Sequence, residues 1–277
     1  MLTDDRGTRR LLVLPRLKKQ ITRKGNRRVF RIPFIAGNWK MFKTKEQARA
    51  FAIEFKKIYE KSDIKVAICA PYTNLELLVE AFKDTGIKVG AQNVHFEDEG
   101  AFTGEISVPM LEEIGVDYCV IGHSERRQYF NETDETVNKK LKRLFKTSII
   151  PIVCVGEVLE EREAGKEKEV VGSQIKAALI DIAADDVKKL VVAYEPVWAI
   201  GTGKTATPED ANAMCEFIRD TISELYGEDV ALDVVIQYGG SVKPNNATEI
   251  MNMPHIDGAL VGGASLVASD FIEIVNF

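Results

Sequence analysis

Residues 189–209 read KLVVAYEPVWAIGTGKTATPE. An apolar run, Leu190 to Tyr194, ends on a carboxylate, Glu195. After the loop 196–206, Thr207-Pro208-Glu209 reads as a helix start, with threonine as cap and proline at the first helical position. Strand, loop and helix therefore follow one another directly. The tail Gly203-Lys204-Thr205 looks like the end of a nucleotide-binding P-loop, but that motif needs glycine at position 198, which is Trp198. The nucleotide reading fails on its own spacing.

The same unit recurs along the chain. Besides KLVVAYE (189–195), β-rich runs occur at IPFIAGN (32–38), IKVAICA (64–70), IKVGAQN (87–93), DYCVIGH (117–123), IIPIVCVG (149–156), DVVIQYGG (233–240) and DGALVGG (257–263). They are apolar throughout, as strands covered on both faces are. Amphipathic segments separate them. Thr44 precedes one, with Gln47 in capping-box position and Ala48, Phe51, Ala52 and Phe55 on one stripe; Asn131 or Thr133 caps another. Eight such units over residues 32–277 fit one closed (βα)8 barrel of the α/β class. An open doubly wound sheet would carry GxGxxG after its first strand, where this chain has GNWKMFK.

Composition narrows the function classes. With 45% apolar and 29% charged residues the chain can bury a large core, and no apolar run reaches the length of a membrane span. Cys69, Cys119, Cys154 and Cys215 show no CxxC pairing, and His95, His123 and His255 lack ligand spacing. This is the pattern of reduced core thiols in a cytoplasmic protein, and no metal site is expected. Residues 1–31 hold 11 Lys/Arg and 2 Asp of the chain's 37 basic and 42 acidic residues, about +9 against about −14 for the rest. The barrel should repel nucleic acid. The first 31 residues read as a separate basic extension, disordered or weakly helical, with a targeting role or an RNA- or membrane-associating arm as alternatives.

In a barrel the strand C-terminal ends share one mouth, where the loops build the active site. Those ends carry Asn38 and Lys40, Gln92, His123 and Ser124, Glu195, Gly239-Gly240-Ser241 and Gly262-Gly263. Glu195 ends an apolar run, so desolvation should raise its pKa towards that of a general base; a helix cap or lysine partner is the alternative. His123 opens a helical turn whose N–H groups would favour a neutral imidazole; a lone histidine at a strand end is more often structural, and the convergence with Glu195 and Lys40 shifts the balance. Lys40 is either a fixed cation for an anionic substrate or an ordinary surface lysine. The paired glycines in the last two loops expose backbone N–H groups, and a helix beginning at Ser265 would complete a phosphate site.

Seven stretches, GNWKM, AQNVHFEDEGAFTGEIS, IGHSERRQYF, VCVGE, YEPVWAIGTGKTAT, YGGSVKPNN and DGALVGGASL, resemble those of the triosephosphate isomerases, in order and over nearly everything after residue 31. The resemblance implies a single TIM barrel that interconverts dihydroxyacetone phosphate and D-glyceraldehyde 3-phosphate, in glycolysis and gluconeogenesis, without metal or organic cofactor. Glu195 would be the base, neutral His123 the electrophile, and Lys40 and Asn38 the stabilisers of negative charge. Glu125 would support Lys40, and Ser124 would contact Glu195 at rest. Phosphate would be held by backbone N–H groups of Gly201, Ser241, Gly262 and Gly263. The lid would comprise Pro196, Val197, Trp198, Ala199, Ile200, Gly201, Thr202, Gly203, Lys204, Thr205 and Ala206. The loop 94–105 would lock a homodimer around Thr103, with Phe102 and Gln92 at the interface. Phe42 and Val158 depart from commoner choices of the family, away from any site position. Two other readings remain on the residues alone: another phosphate-binding barrel enzyme, and an inactive barrel carrying a basic arm.

Overall fold

The computed structural model describes residues 19–22, 28–200 and 206–277. Strands β1 (Lys19–Thr22) and β2 (Arg28–Arg31) form a two-stranded antiparallel sheet, in register Lys19 with Arg31. The expected disordered or weakly helical extension is thus corrected over these eight residues. Ile21, Val29 and Phe30 are residue types that strands favour, a signal that the basic composition obscured. The rest of the extension lies outside the described residues.

The eight expected strands all form: β3 (Phe34–Asn38), β4 (Lys65–Cys69), β5 (Ile87–Ala91), β6 (Tyr118–Ile121), β7 (Ile150–Val155), β8 (Val191–Tyr194), β9 (Val235–Tyr238) and β10 (Gly258–Val261). Each is slightly shorter than its apolar run, because the run's ends bend into the loops. All pair in parallel, and β10 closes on β3 through Ala36 with Leu260. The result is a closed barrel with helices between its strands.

Alternation along the strands makes two apolar layers. Ala36, Ala67, Cys69, Val120, Ile152, Cys154, Ala193 and Leu260 fill the interior, where mostly small side chains fit. The opposite faces, including Ile35, Ile68, Ile121, Val153, Val192 and Ile236, pack under the helices. All four cysteines are buried free thiols, and burial pushes Cys69 up to about 12, so it stays protonated.

Local signals place the helices. Thr44 and Gln47 form the reciprocal capping box of helix Lys45–Ile58, at 2.9 and 3.4 Å, and Ala48, Phe51, Ala52 and Phe55 are its buried stripe. Thr133, not Asn131, caps Asp134–Leu144. Thr207 caps Pro208–Tyr226 by accepting from Asp210 N at 3.1 Å. Among the described residues no helix is long and apolar enough to cross a membrane.

At the N-terminal mouth, Asp257 ties the end of β2 to the barrel. Its carboxylate accepts from Arg31 and Arg219, and from Ile236 N at 3.0 Å. Arg219 also donates to Ala231 O and Val234 O at 2.6 and 2.9 Å.

Candidate active site

The opposite mouth opens into a cavity of about 430 Å3 lined by Asn38, Lys40, His123, Glu125, Glu195, Ser241, Gly262 and Gly263, among others. Glu195 follows β8 directly and is 2% exposed. Its Oε1 lies 2.8 Å from His123 Nε2, and its Oε2 accepts from Ser124 N at 2.9 Å. On its other side, a Cβ at Gly239 would lie 3.0 Å from Glu195 Cγ and 3.1 Å from Tyr194 O, so a side chain there would crowd the carboxylate.

The charge state of Glu195 corrects the expectation from sequence. Burial is the largest influence and does favour the neutral acid. His123, the Ser124 N–H and Lys40 together outweigh it and hold the carboxyl below its ordinary range. Glu195 is therefore ionised at neutral pH.

His123 is the N-cap of helix Ser124–Tyr129, and its Nδ1 accepts from Glu125 N at 3.2 Å. An accepting nitrogen carries no proton, so this hydrogen-bond pattern is that of a neutral ring with its proton on Nε2. Burial also disfavours imidazolium, whereas Glu195 and Glu125 favour it, and their pull lifts the ring above its ordinary value. That lift depends on Glu195 remaining beside Nε2. With the carboxylate moved away, burial, Lys40 and the Glu125 amide all favour the neutral form.

Lys40 sits in the left-handed region at φ 51°, unusual for a residue with a side chain. Its surroundings fix that conformation. Lys40 N donates to Asn38 Oδ1 at 3.0 Å, while Gln92 Nε2 donates to Lys40 O, Asn38 Oδ1 and Cys69 O at 3.0, 3.0 and 3.2 Å. Strain of about 1–3 kcal/mol is typical for such a backbone and persists only where neighbours over-determine it. The ammonium then reaches Glu125 Oε1 at 2.6 Å. Gln92 thus turns its amide onto the Asn38 to Lys40 turn.

Several contributors escaped the sequence reading. Gly122, at φ 70°, precedes His123; its N–H donates to buried Glu132 at 2.7 Å and its carbonyl accepts from Arg127 at 2.7 Å. Arg126 and Lys140 neutralise Glu132 at 2.6 and 3.1 Å. Glu157, just past β7, takes Tyr194 OH and Trp198 Nε1 at 2.9 and 2.8 Å on its Oε1. A buried carboxylate at a second strand end was the available signal. Trp198 lies in the 3-10 turn Val197–Ala199, and its ring also meets Arg162, 5.6 Å away.

The phosphate side is partly corrected. Ser265 does not begin a helix; it is buried within the 3-10 turn Gly263–Leu266, with Oγ donating to Gly262 O at 2.7 Å, and the following helix spans Ala268–Val275. Gly262, Gly263 and Ser241 line the cavity. Gly201, with the lid residues Thr202, Gly203, Lys204 and Thr205, lies outside the described residues. Pro196, Val197, Trp198, Ala199 and Ile200 lead in, and Ala206 resumes the chain, 8% exposed. Thr103 and Phe102 are exposed, with Phe102 against the His95 ring at 4.3 Å. Among the described residues no cluster of three or more His, Cys, Asp or Glu could hold a metal ion.

The sequence profile described as triosephosphate isomerase matches residues 33–277. The chain belongs to the triosephosphate isomerase family. A family member from Alkaliphilus metalliredigens (strain QYMF) is 57% identical over 247 residues, covering 89% of this chain and 100% of its own. One from Clostridium botulinum (strain Loch Maree / Type A3) is 56% identical with the same coverage. A third triosephosphate isomerase, from Acetivibrio thermocellus, is 56% identical over 242 residues, 87% of this chain and 96% of its own.

Proposed function

We propose that the chain interconverts dihydroxyacetone phosphate and D-glyceraldehyde 3-phosphate, serving glycolysis and gluconeogenesis in the cytoplasm as a homodimer. The observation that carries this reading is the convergence of Glu195, His123 and Lys40 on one cavity whose lining includes the glycine loops. An ionised carboxylate with a histidine electrophile is the pattern of this family.

In this reading Glu195 leaves His123 and Ser124 and takes a proton from the hydroxyl-bearing carbon beside the carbonyl. The electron pair moves onto the carbonyl oxygen, giving an enediolate. His123, neutral once the carboxylate has moved off, donates from Nε2 to that oxygen and shuttles protons between the two oxygens. Lys40 and Asn38 stabilise the negative charge, and Glu125 holds the ammonium in place. Glu195 then returns its proton to the neighbouring carbon. The groups that move protons are thus all side chains, and no cofactor enters the scheme.

Backbone N–H groups of Gly201, Ser241, Gly262 and Gly263 hold the phosphate. The lid from Pro196 to Ala206 closes over it and excludes water, because a solvated enediolate phosphate can lose its phosphate group. Glu157, through Trp198, supports the lid's first hinge. The loop 94–105, with Thr103 and Phe102 exposed at its tip, enters the partner protomer; exposed Met41, Tyr129 and Phe130 supply apolar surface for the same interface.

The test is isomerisation of glyceraldehyde 3-phosphate by the purified protein and by Glu195→Gln. We expect the substitution to lower kcat by about 10²–10⁴-fold, the contribution of a positioned general base. A wild-type protein without isomerase activity would overturn the assignment.

A further inference from the structure

Glu195 is held from behind as well as from the cavity. Its N–H donates to Val155 O at 2.8 Å. The next residue, Gly156, presses against its backbone so closely that a Cβ there would lie 1.7 Å from Glu195 O. The place of the base is therefore set by where the Val155-Gly156 segment lies.

One distant side chain grips that segment. Gln174, on helix Glu167–Ala178, accepts from Gly156 N at 2.8 Å through Oε1 and donates from Nε2 to Gly156 O at 3.1 Å. The partners, one donor and one acceptor, fix which end of the amide is which. The ladder between β7 and β8 ends at Val155 with Tyr194, so the amide gives the Gly156 peptide the pairing that a strand no longer supplies. Gln174 shares with Gly156, Glu195 and Val197 the wall of a second cavity of about 300 Å3. Glu157 comes next in the chain, and its carbonyl accepts from Val197 N at 3.1 Å at the start of the lid.

We infer that Gln174 is a positioning residue for the isomerisation: its two-point grip on the Gly156 peptide sets where Glu195 and the lid's first hinge sit. This rests on Glu195 being the base. Gln174 touches neither His123 nor Lys40 and acts through Gly156. Only a primary amide offers a donor and an acceptor at the required spacing. Methionine keeps much of the bulk and loses both bonds; glutamate keeps the length and the acceptor for Gly156 N–H.

The test compares wild type, Gln174→Glu and Gln174→Met well below their melting temperatures. A displacement of about 1 Å at a reacting group costs up to about 10²-fold, so Gln174→Met should lose about 10–10²-fold in kcat, with Gln174→Glu between it and wild type. Ser241, Gly262 and Gly263 do not line the cavity that Gln174 and Gly156 share, so KM and the inhibition constant of inorganic phosphate should change much less than kcat. An unchanged kcat in Gln174→Met overturns the inference, and so does a parallel loss of kcat, KM and phosphate inhibition, which marks general damage. If Gln174→Met does not fold, Gln174→Glu decides: a kcat equal to wild type counts against the grip. An inactive wild type would remove the base assignment itself, whereas an active wild type matched by both variants would sink only the role of Gln174.

Discussion

The two mouths of the barrel each bury a carboxylate among cationic groups, to opposite ends. At the N-terminal mouth Asp257, 1% exposed, takes Arg31, Arg219 and the Ile236 N–H. At the C-terminal mouth Glu195, 2% exposed, takes His123 and the Ser124 N–H. Guanidiniums keep their charge, so Asp257 acts as a staple between Arg31, at the end of β2, and Arg219, on helix Pro208–Tyr226. His123 can be neutral, and a cavity lies beside it, so the partners of Glu195 can be replaced by substrate. Burial and pairing are common to both sites; the difference between the staple and the proposed base lies in whether the partners can let go.

That contrast can be broken at either mouth. The largest effect is expected in turnover, where Glu195→Gln should remove about 10²–10⁴-fold of kcat while the urea midpoint moves little. Asp257→Ala should behave inversely. Leaving two buried guanidiniums uncompensated costs about 3–5 kcal/mol in urea unfolding, with kcat per folded molecule retained. A large fall in that kcat would show that the two mouths are coupled.

The smallest effect lies in pH dependence. Because its partners lower the folded-state pKa of Glu195, their stabilisation is present above its unfolded value and lost as pH falls through the folded one. The base's limb in kcat/KM should therefore lie below pH 4.5, the ordinary value, separate from the substrate phosphate's own limb near about pH 6. A base limb above pH 4.5 would mean that burial wins after all.

The same contrast explains what the sequence made legible. The eight strands and the caps at Thr44 and Thr207 rest on neighbours within a few residues, and they can be read directly. Glu195 and His123 could be placed at the mouth for the same reason, as residues ending apolar runs. The direction of the Glu195 shift could not, since the Ser124 N–H that helps to reverse it is 71 residues away. Asp257 and Arg31 meet across 226 residues, and nothing local announces them. Gln92 reads as one more polar residue at a strand end until its amide is seen to bridge Asn38, Lys40 and Cys69. The hairpin at β1 and β2 was hidden by its charge, which reads as a tail when composition is weighed over pattern.

The most direct measurement is isomerisation in D2O with product analysis. If Glu195 removes and returns a proton through an enediolate, the product gains solvent deuterium at the carbon beside the carbonyl, and Glu195→Gln loses deuterium incorporation together with turnover. A Glu195→Gln variant that turns over and incorporates deuterium as wild type does would contradict the role given to Glu195.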